Sequence, residues 1–212
     1  MKRKLLSILL TLCLAFSLLP TAALAEEATG CVGGETCNHQ AAIGDTHYST
    51  LVEAVSAAKD GETITLTDDI KVEDTLVVTK TLTLDLARHT LSNDADIWSD
   101  YNWSLISVRG NGNLTITGNG TLKAKENDCY PVDVQDEGAQ LTIENGTFIG
   151  NIHAVYVETG AAYIKGGTYS VQQKYTDPSK ADEFVLNLYD ANRRNGTAKL
   201  SVSGGTFVAF NP

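Results

Sequence analysis

Asp133 and Glu158 are the two carboxylates whose spacing could do chemistry. Asp133 sits between Val132 and Val134, and Glu158 follows directly on Val155-Tyr156-Val157. Cleavage of a glycosidic bond needs two carboxyl groups held about 5 to 10 Å apart across it. If the Val pairs stack, Asp133 and Glu158 fall one rung apart in adjacent rows, within that range. Aligning all the Val, Ile and Leu pairs of this kind predicts two outward rows, Ser107, Asp133, Tyr156 and Asn187, then Arg109, Gln135, Glu158 and Tyr189. Hydroxyls, amides, charges and rings in one strip suit a sugar chain. The plainer alternative is an ordinary solvated strand face.

Trp98, Tyr101, Trp103 and Tyr175 lie in two otherwise polar insertions, 93–103 and 172–183. Exposed there, they would stack on sugar faces or anchor a protein partner, and otherwise they fold back over the coil. His153, His89, Asp128, the Asp68–Asp69 pair and Arg193–Arg194 are expected to be structural or solvated. His153 would lean on solvent at a strand start, His89 would sit in a turn, and the two arginines would occupy a long loop over 190–198. Cys31 and Cys37, separated by five residues including two Gly, can close a small disulfide loop in an oxidising compartment, leaving Cys129 over. A metal site from Cys31, Cys37 and His39 is the alternative, but its spacing matches no familiar zinc pattern.

These residues are positioned by a repeat. A strand, a Gly turn and a Thr followed by a large apolar residue recur at Leu114–Leu122, Leu141–Phe148, Ala162–Tyr169 and Leu200–Phe207, with a more divergent copy at Leu82–Leu91. The Thr anchors are Thr90, Thr121, Thr147, Thr168 and Thr206, at steps of 31, 26, 21 and 38 residues. Such steps suit a constant coil interrupted by variable loops. Apolar residues alternate with polar ones inside each copy, the period of a strand with one buried face. A second alternating pair precedes each copy: Leu76/Val78, Ile106/Val108, Val132/Val134, Val155/Val157 and Leu186/Leu188. The segment after each Gly-Thr opens a third strand. Three strands per coil, stacked at roughly 4.8 Å, describe an all-β solenoid, a parallel β-helix. A sandwich would use similar strands but has no reason to repeat one turn phrase.

Residues 1–25 read as a secretory signal peptide, with Lys2, Arg3 and Lys4 ahead of an apolar run and Ala23-Leu24-Ala25 at the cleavage positions. Removing those three cations takes the formal charge from −10 to −13. An acidic surface disfavours nucleic acid and anionic membrane as partners. Residues 26–40 form a Cys-containing segment, and 41–212 the coil. A helix is expected over 49–61, with Thr50 and Glu53 as a capping box, Leu51, Val55 and Ala58 on one face, and Gly61 as the stop. Laid across the first rung, this amphipathic helix would cap the strand edges. At the other end, Asn211-Pro212 follows an intact repeat directly, so that end is expected to associate with itself or with a downstream region. The Asn-x-Ser/Thr sites at Asn102, Asn113, Asn119, Asn145 and Asn195 read as turn chemistry rather than glycan acceptors.

Asp85-Leu-Ala-Arg-His-Thr-Leu91 resembles the Asp-Leu-Asn-Gly-His-Thr-Leu phrase of the pectin-lyase-like superfamily, departing at Ala87-Arg88. Tyr48–Leu66 resembles the entry segment of the same proteins, and the likeness spans roughly residues 41 to 210. It is closest to secreted or cell-surface members from Gram-positive, often gut-dwelling, bacteria. The resemblance implies a right-handed parallel β-helix. It leaves activity open, because this fold carries lyases, hydrolases, adhesins and passive modules. The hydrolase members' Asn-Thr-Asp, Gly-His-Gly and Arg-Ile-Lys phrases are missing from the coils. The expectation is therefore a secreted or surface-located, non-catalytic module for carbohydrate or protein binding, or for spacing, needing no cofactor. The rival is a polysaccharide lyase or glycoside hydrolase, or a truncated part of one, with Asp133 and Glu158 as its candidate catalytic residues and calcium as its cofactor.

Overall fold

The computed structural model describes residues 38–97, 103–125, 129–173 and 184–208. The leader, Cys31, Cys37, Trp98, Tyr101, Asp128 and Tyr175 therefore lie outside the described residues.

Among the described residues nineteen strands, numbered in chain order, fall into three sheets, and from the third strand onward each sheet takes every third strand in the order in which the chain makes them. The first sheet runs β18 (Ala198–Val202), β15 (Gly160–Ile164), β12 (Gln140–Ile143), β9 (Asn113–Thr117), β6 (Thr81–Asp85), β3 (Glu62–Leu66), β1 (Ala41–Ile43) and β2 (Thr46–Tyr48); the second runs β19 (Thr206–Val208), β16 (Thr168–Val171), β13 (Thr147–Gly150), β10 (Thr121–Lys123), β7 (Thr90–Ser92) and β4 (Ile70–Lys71); the third runs β17 (Leu186–Leu188), β14 (Val155–Val157), β11 (Tyr130–Val134), β8 (Ser104–Val108) and β5 (Leu76–Val78). Every pairing between coils is parallel. A full coil is thus one strand from each sheet, as in β8 (Ser104–Val108), β9 (Asn113–Thr117) and β10 (Thr121–Lys123). The architecture is all-β and solenoid-like, built from long parallel sheets.

The register follows the repeat. Thr90, Thr121, Thr147, Thr168 and Thr206 stand opposite one another in the second sheet. Inside them, Leu91, Leu122, Phe148 and Tyr169 form one column of the core, and exposed Phe207 continues it in register. The Phe148, Tyr169 and Phe207 rings stack at 5.1 Å with planes 13° apart. Burying such rings one on another adds to the area they remove from water. Leu76, Ile106, Val132, Val155 and Leu186 make a column in the third sheet, and Val78, Val108, Val134, Val157 and Leu188 make the next. In the first sheet Leu84, Ile116, Ile143, Ile164 and Val202 line up in the same way.

Three elements differ from expectation. Helix α1 spans Leu51–Ala57, shorter than 49–61. Its capping box is present, with Glu53 N donating to Thr50 Oγ1 at 3.1 Å and Thr50 N to Glu53 Oε2 at 3.2 Å. The stop is made by Lys80 instead of Gly61: its ammonium donates to the carbonyls of Val55, Ser56 and Ala58 at 3.1, 2.7 and 2.8 Å. Those carbonyls would otherwise lack partners at the helix end. Leu51, Ala54 and Ala58 are buried while Val52 points to solvent. Second, β1 (Ala41–Ile43) and β2 (Thr46–Tyr48) form an antiparallel hairpin that extends the first sheet beyond β3. Third, 190–195 is not a loop but helix α2, Asp190–Asn195. Asp190 pairs with Arg193 and Arg194 one turn on, and Gly196, at φ +84°, ends the helix in the left-handed conformation.

Candidate functional site

Strands β5 (Leu76–Val78), β8, β11 (Tyr130–Val134), β14 (Val155–Val157) and β17 (Leu186–Leu188) carry the candidate residues on the outer side of the third sheet. Val77, Ser107, Asp133, Tyr156 and Asn187 stand in register, as the alignment of apolar pairs predicts. The next row continues the ladder by backbone bonds. Arg109 N donates to Val78 O, Gln135 N to Val108 O, Glu158 N to Val134 O and Tyr189 N to Val157 O, at 2.9 to 3.1 Å.

The reading of the first row as an open strip needs correction. Ser107 and Asp133 are fully buried, whereas Tyr156 and Asn187 are half-buried. Side chains of the second row fold back over the first: Arg109 Nε donates to Ser107 Oγ and Gln135 Nε2 to Asp133 Oδ2, both at 2.8 Å. An arginine or glutamine two positions along a strand is long enough to reach its same-face neighbour, which removes that neighbour from water.

Burial has a chemical consequence at Asp133. Its carboxyl is pushed up to about 6, first by burial. The Ser107, Gln135 and Ser104 side chains and the Arg109 charge pull the other way without cancelling the shift. Although two serines lie close, no donor is aligned on Asp133 Oδ1, and the buried Ser104 hydroxyl also has no hydrogen-bond partner. Burying a charged group without full hydrogen bonding is costly, so the proton is retained to higher pH.

Aromatic residues occupy the same face. The Tyr130 ring lies 5.3 Å from His153 and 5.4 Å from Tyr156, and His153 stacks on Tyr156 at 5.9 Å and on Phe184 at 6.4 Å. His153 does not lean on solvent. It is buried, with Nδ1 bonded to the Phe184 carbonyl and Nε2 to Asn187 Nδ2, each at 2.9 Å. A carbonyl can only accept, so Nδ1 carries a proton and donates it to Phe184. The chain reaches His153 through Gly150, where a Cβ would stand 1.7 Å from the His153 carbonyl oxygen. Only glycine allows that approach. Burial, then the charges of Glu158, Tyr130, Tyr189 and Asp133, raise the Tyr156 phenol pKa, so all four groups surround it. Tyr130, His153 and Phe184 were outside the predicted rows. A Tyr next to Pro131 and a Phe at the edge of an insertion break the period-2 pattern, so only their aromatic type signals them.

Other expected candidates lie elsewhere. Trp103 precedes β8, and its carbonyl accepts Tyr130 N at 2.8 Å. His89 sits in its turn, 3.6 Å from Asp69 Oδ1, which also accepts Thr90 N. Cys129 is buried, with Asn93 Nδ2 at 3.7 Å from its sulfur. Asn119 and Asn145 are turn residues, and Asn145 Nδ2 donates a hydrogen bond to Asn119 Oδ1 at 2.6 Å. Asp133 is sealed and Glu158 half-exposed, so the two do not open onto one solvent-filled gap. Among the described residues, no three His, Cys, Asp or Glu side chains gather as a metal centre. A groove of about 690 Å³ lies at the β5 edge of this sheet, between α1 and residues 70–80, with Val77 of the outer column in its lining. Its Lys71 is paired with Asp94 and its Lys80 with α1, and among the described residues no aromatic ring lines it.

The fold and this face define a class, an all-β, solenoid-like protein with an aromatic and polar surface on one sheet. Comparison with known proteins found no matching family model, no similar curated protein and no similar solved structure.

Proposed function

We propose that the chain is an exported, non-catalytic, right-handed parallel β-helix module of the pectin-lyase-like kind, capped by α1, that binds carbohydrate on the outer face of its third sheet. Export rests on the basic, apolar and small-residue order of residues 1–25. The observation that carries the binding reading is the cluster of Tyr130, Tyr156 and Phe184 around His153, beside Asn187, Glu158 and Gln135. Rings supply flat platforms for sugar faces, and neighbouring polar groups fix orientation.

An enzymatic reading draws on Asp133, whose carboxyl titrates near neutrality as a general acid's should. The fully buried position of that carboxyl and its lack of an open partner carboxylate favour the binding reading. The test is equilibrium binding of the secreted chain to soluble polysaccharides and their oligomers, with product analysis in the same tubes. Binding that Tyr156→Ala weakens at least ~10-fold, without new reducing ends, supports the proposal. Turnover lost in Asp133→Asn would replace it with the enzyme.

A further inference from the structure

The chemistry of this face also restricts what it takes. The carboxyls around Tyr156 are those of Glu158 and Asp133, and the Arg109 guanidinium acts on Asp133. Arg109 directs its Nε–H inward to Ser107. Gln135 Nε2 is likewise committed to Asp133 Oδ2, and Asn187 Nδ2 to His153. Arg109 Nε, Gln135 Nε2 and Asn187 Nδ2 thus each commit a donor within the sheet. The acceptors are not matched in the same way. Asp133 Oδ1 is buried without a donor, and among the described residues the Glu158 carboxylate has no hydrogen bond or ion pair of its own. Glu158 engages its neighbours only through its backbone, where its carbonyl accepts Asn192 Nδ2 at 2.7 Å.

An acceptor-rich face flanked by tyrosine rings attracts a cation. A ring face and an adjacent carboxylate act together on an ammonium group, through the ring quadrupole and direct charge. An anionic sugar acid would meet Glu158 with the wrong sign, in a chain that already carries −10. Resting on the carbohydrate reading above, we propose that the ligand of this face is an amino sugar polymer with free amines, whose ammonium groups sit against Glu158 and the Tyr156 ring. The ring cluster favours a sugar over a basic peptide, because it presents aromatic platforms on a regular strand face.

Binding of the intact secreted chain to three oligosaccharide probes tests this: glucosamine, N-acetylglucosamine and galacturonate oligomers of equal length, in mildly acidic buffer where the free amine is protonated. Glucosamine oligomers should bind ~10-fold more tightly than their N-acetylated counterparts, and galacturonate oligomers should not bind. Glu158→Gln should erase most of that preference, and added salt should weaken it. Because the Glu158 side chain supports no neighbour, this variant should fold like the parent, which circular dichroism checks. Equal binding of the acetylated and free-amine probes, lost in Tyr156→Ala, would overturn the inference and leave the carbohydrate reading standing. Tight binding of galacturonate would also overturn it. No binding of any probe, with a Lys-rich peptide bound instead, would remove both.

Discussion

The outer faces of the first and third sheets come from the same coils, yet they treat their polar residues in opposite ways. On the first sheet Thr63, Thr83, Thr115 and Thr142 stand in one column, followed by Tyr163 and Ser201. Thr63 is exposed and the next three are half-buried, so their short hydroxyls remain within reach of water. On the third sheet the equivalent column passes from half-exposed Val77 through fully buried Ser107 and Asp133. Thr63 and Thr115 are followed two residues on by Thr65 and Thr117, and Glu144 beyond Thr142 turns to Lys165 at 3.5 Å, whereas Arg109 and Gln135 fold back over Ser107 and Asp133. The direction that the side chain at the next outward position takes therefore separates a solvated face from one that stores a desolvated carboxyl. Perturbed groups of that sort mark functional sites more often than chance.

The largest effect expected from this contrast concerns inward against outward positions. Val134→Asp and Val157→Asp place an unpaired charge between stacked rungs and should abolish folding, a loss above about 4 kcal/mol. Thr115→Asp and Val77→Asp, on outer faces, should fold with losses within about 1 kcal/mol. Soluble yield and thermal melting measure both. Comparable losses in all four would break the division into inner and outer faces.

The next effect is specific to the third sheet. Asp133 has a folded pKa of about 6 against an ordinary 3.8, so the folded state holds this proton more tightly than the unfolded chain. Its contribution is favourable below about pH 4 and is lost as pH rises through 6, a change of about 3 kcal/mol over that window. Asp133→Asn should remove this slope and stabilise the protein at neutral pH by an amount of that order. Other carboxyls titrate too, and exposed Asp190, held low by Arg193 and Arg194, acts in the opposite direction. Chemical denaturation of parent and variant at pH 4, 5, 6 and 7 isolates the difference. Parallel stability curves would show that Asp133 is not desolvated.

A smaller effect belongs to the turn between the first and second sheets. Ala87 adopts φ +51°, in the left-handed region that favours glycine. Ala87→Gly should therefore stabilise by roughly 0.5 to 1 kcal/mol, read as a rise in melting temperature. A decrease would mean that neighbouring contacts compensate the backbone at that position.

How much of this was readable beforehand depended on whether a feature is periodic. The five Thr anchors and the Val, Ile and Leu columns obey the two-residue period, and they stack in the order that the repeat predicts. The third strand of each coil followed from the same phrase. The burial of Asp133 was not readable, because it depends on Gln135 and Arg109 turning back across the face, a choice of rotamer rather than of residue type. The pairing of β1 with β3 and the Lys80 cap of α1 depend on partners 22 to 25 residues away in the chain, as in Thr65 with Ala42 at one end and Val55 with Lys80 at the other, and no local pattern reports them. The ring cluster joins Tyr130, His153 and Phe184 from three coils, so it exists only once the coils are stacked.

Backbone amide shifts in isotope-labelled protein, followed while glucosamine oligomers are added, test most directly whether the third sheet is the binding face. The account predicts that perturbations gather at Tyr130, His153, Tyr156, Glu158 and Asn187 and leave Thr83, Thr115 and Thr142 unmoved. Perturbations centred on the Thr column of the first sheet, or none on either face, would contradict it.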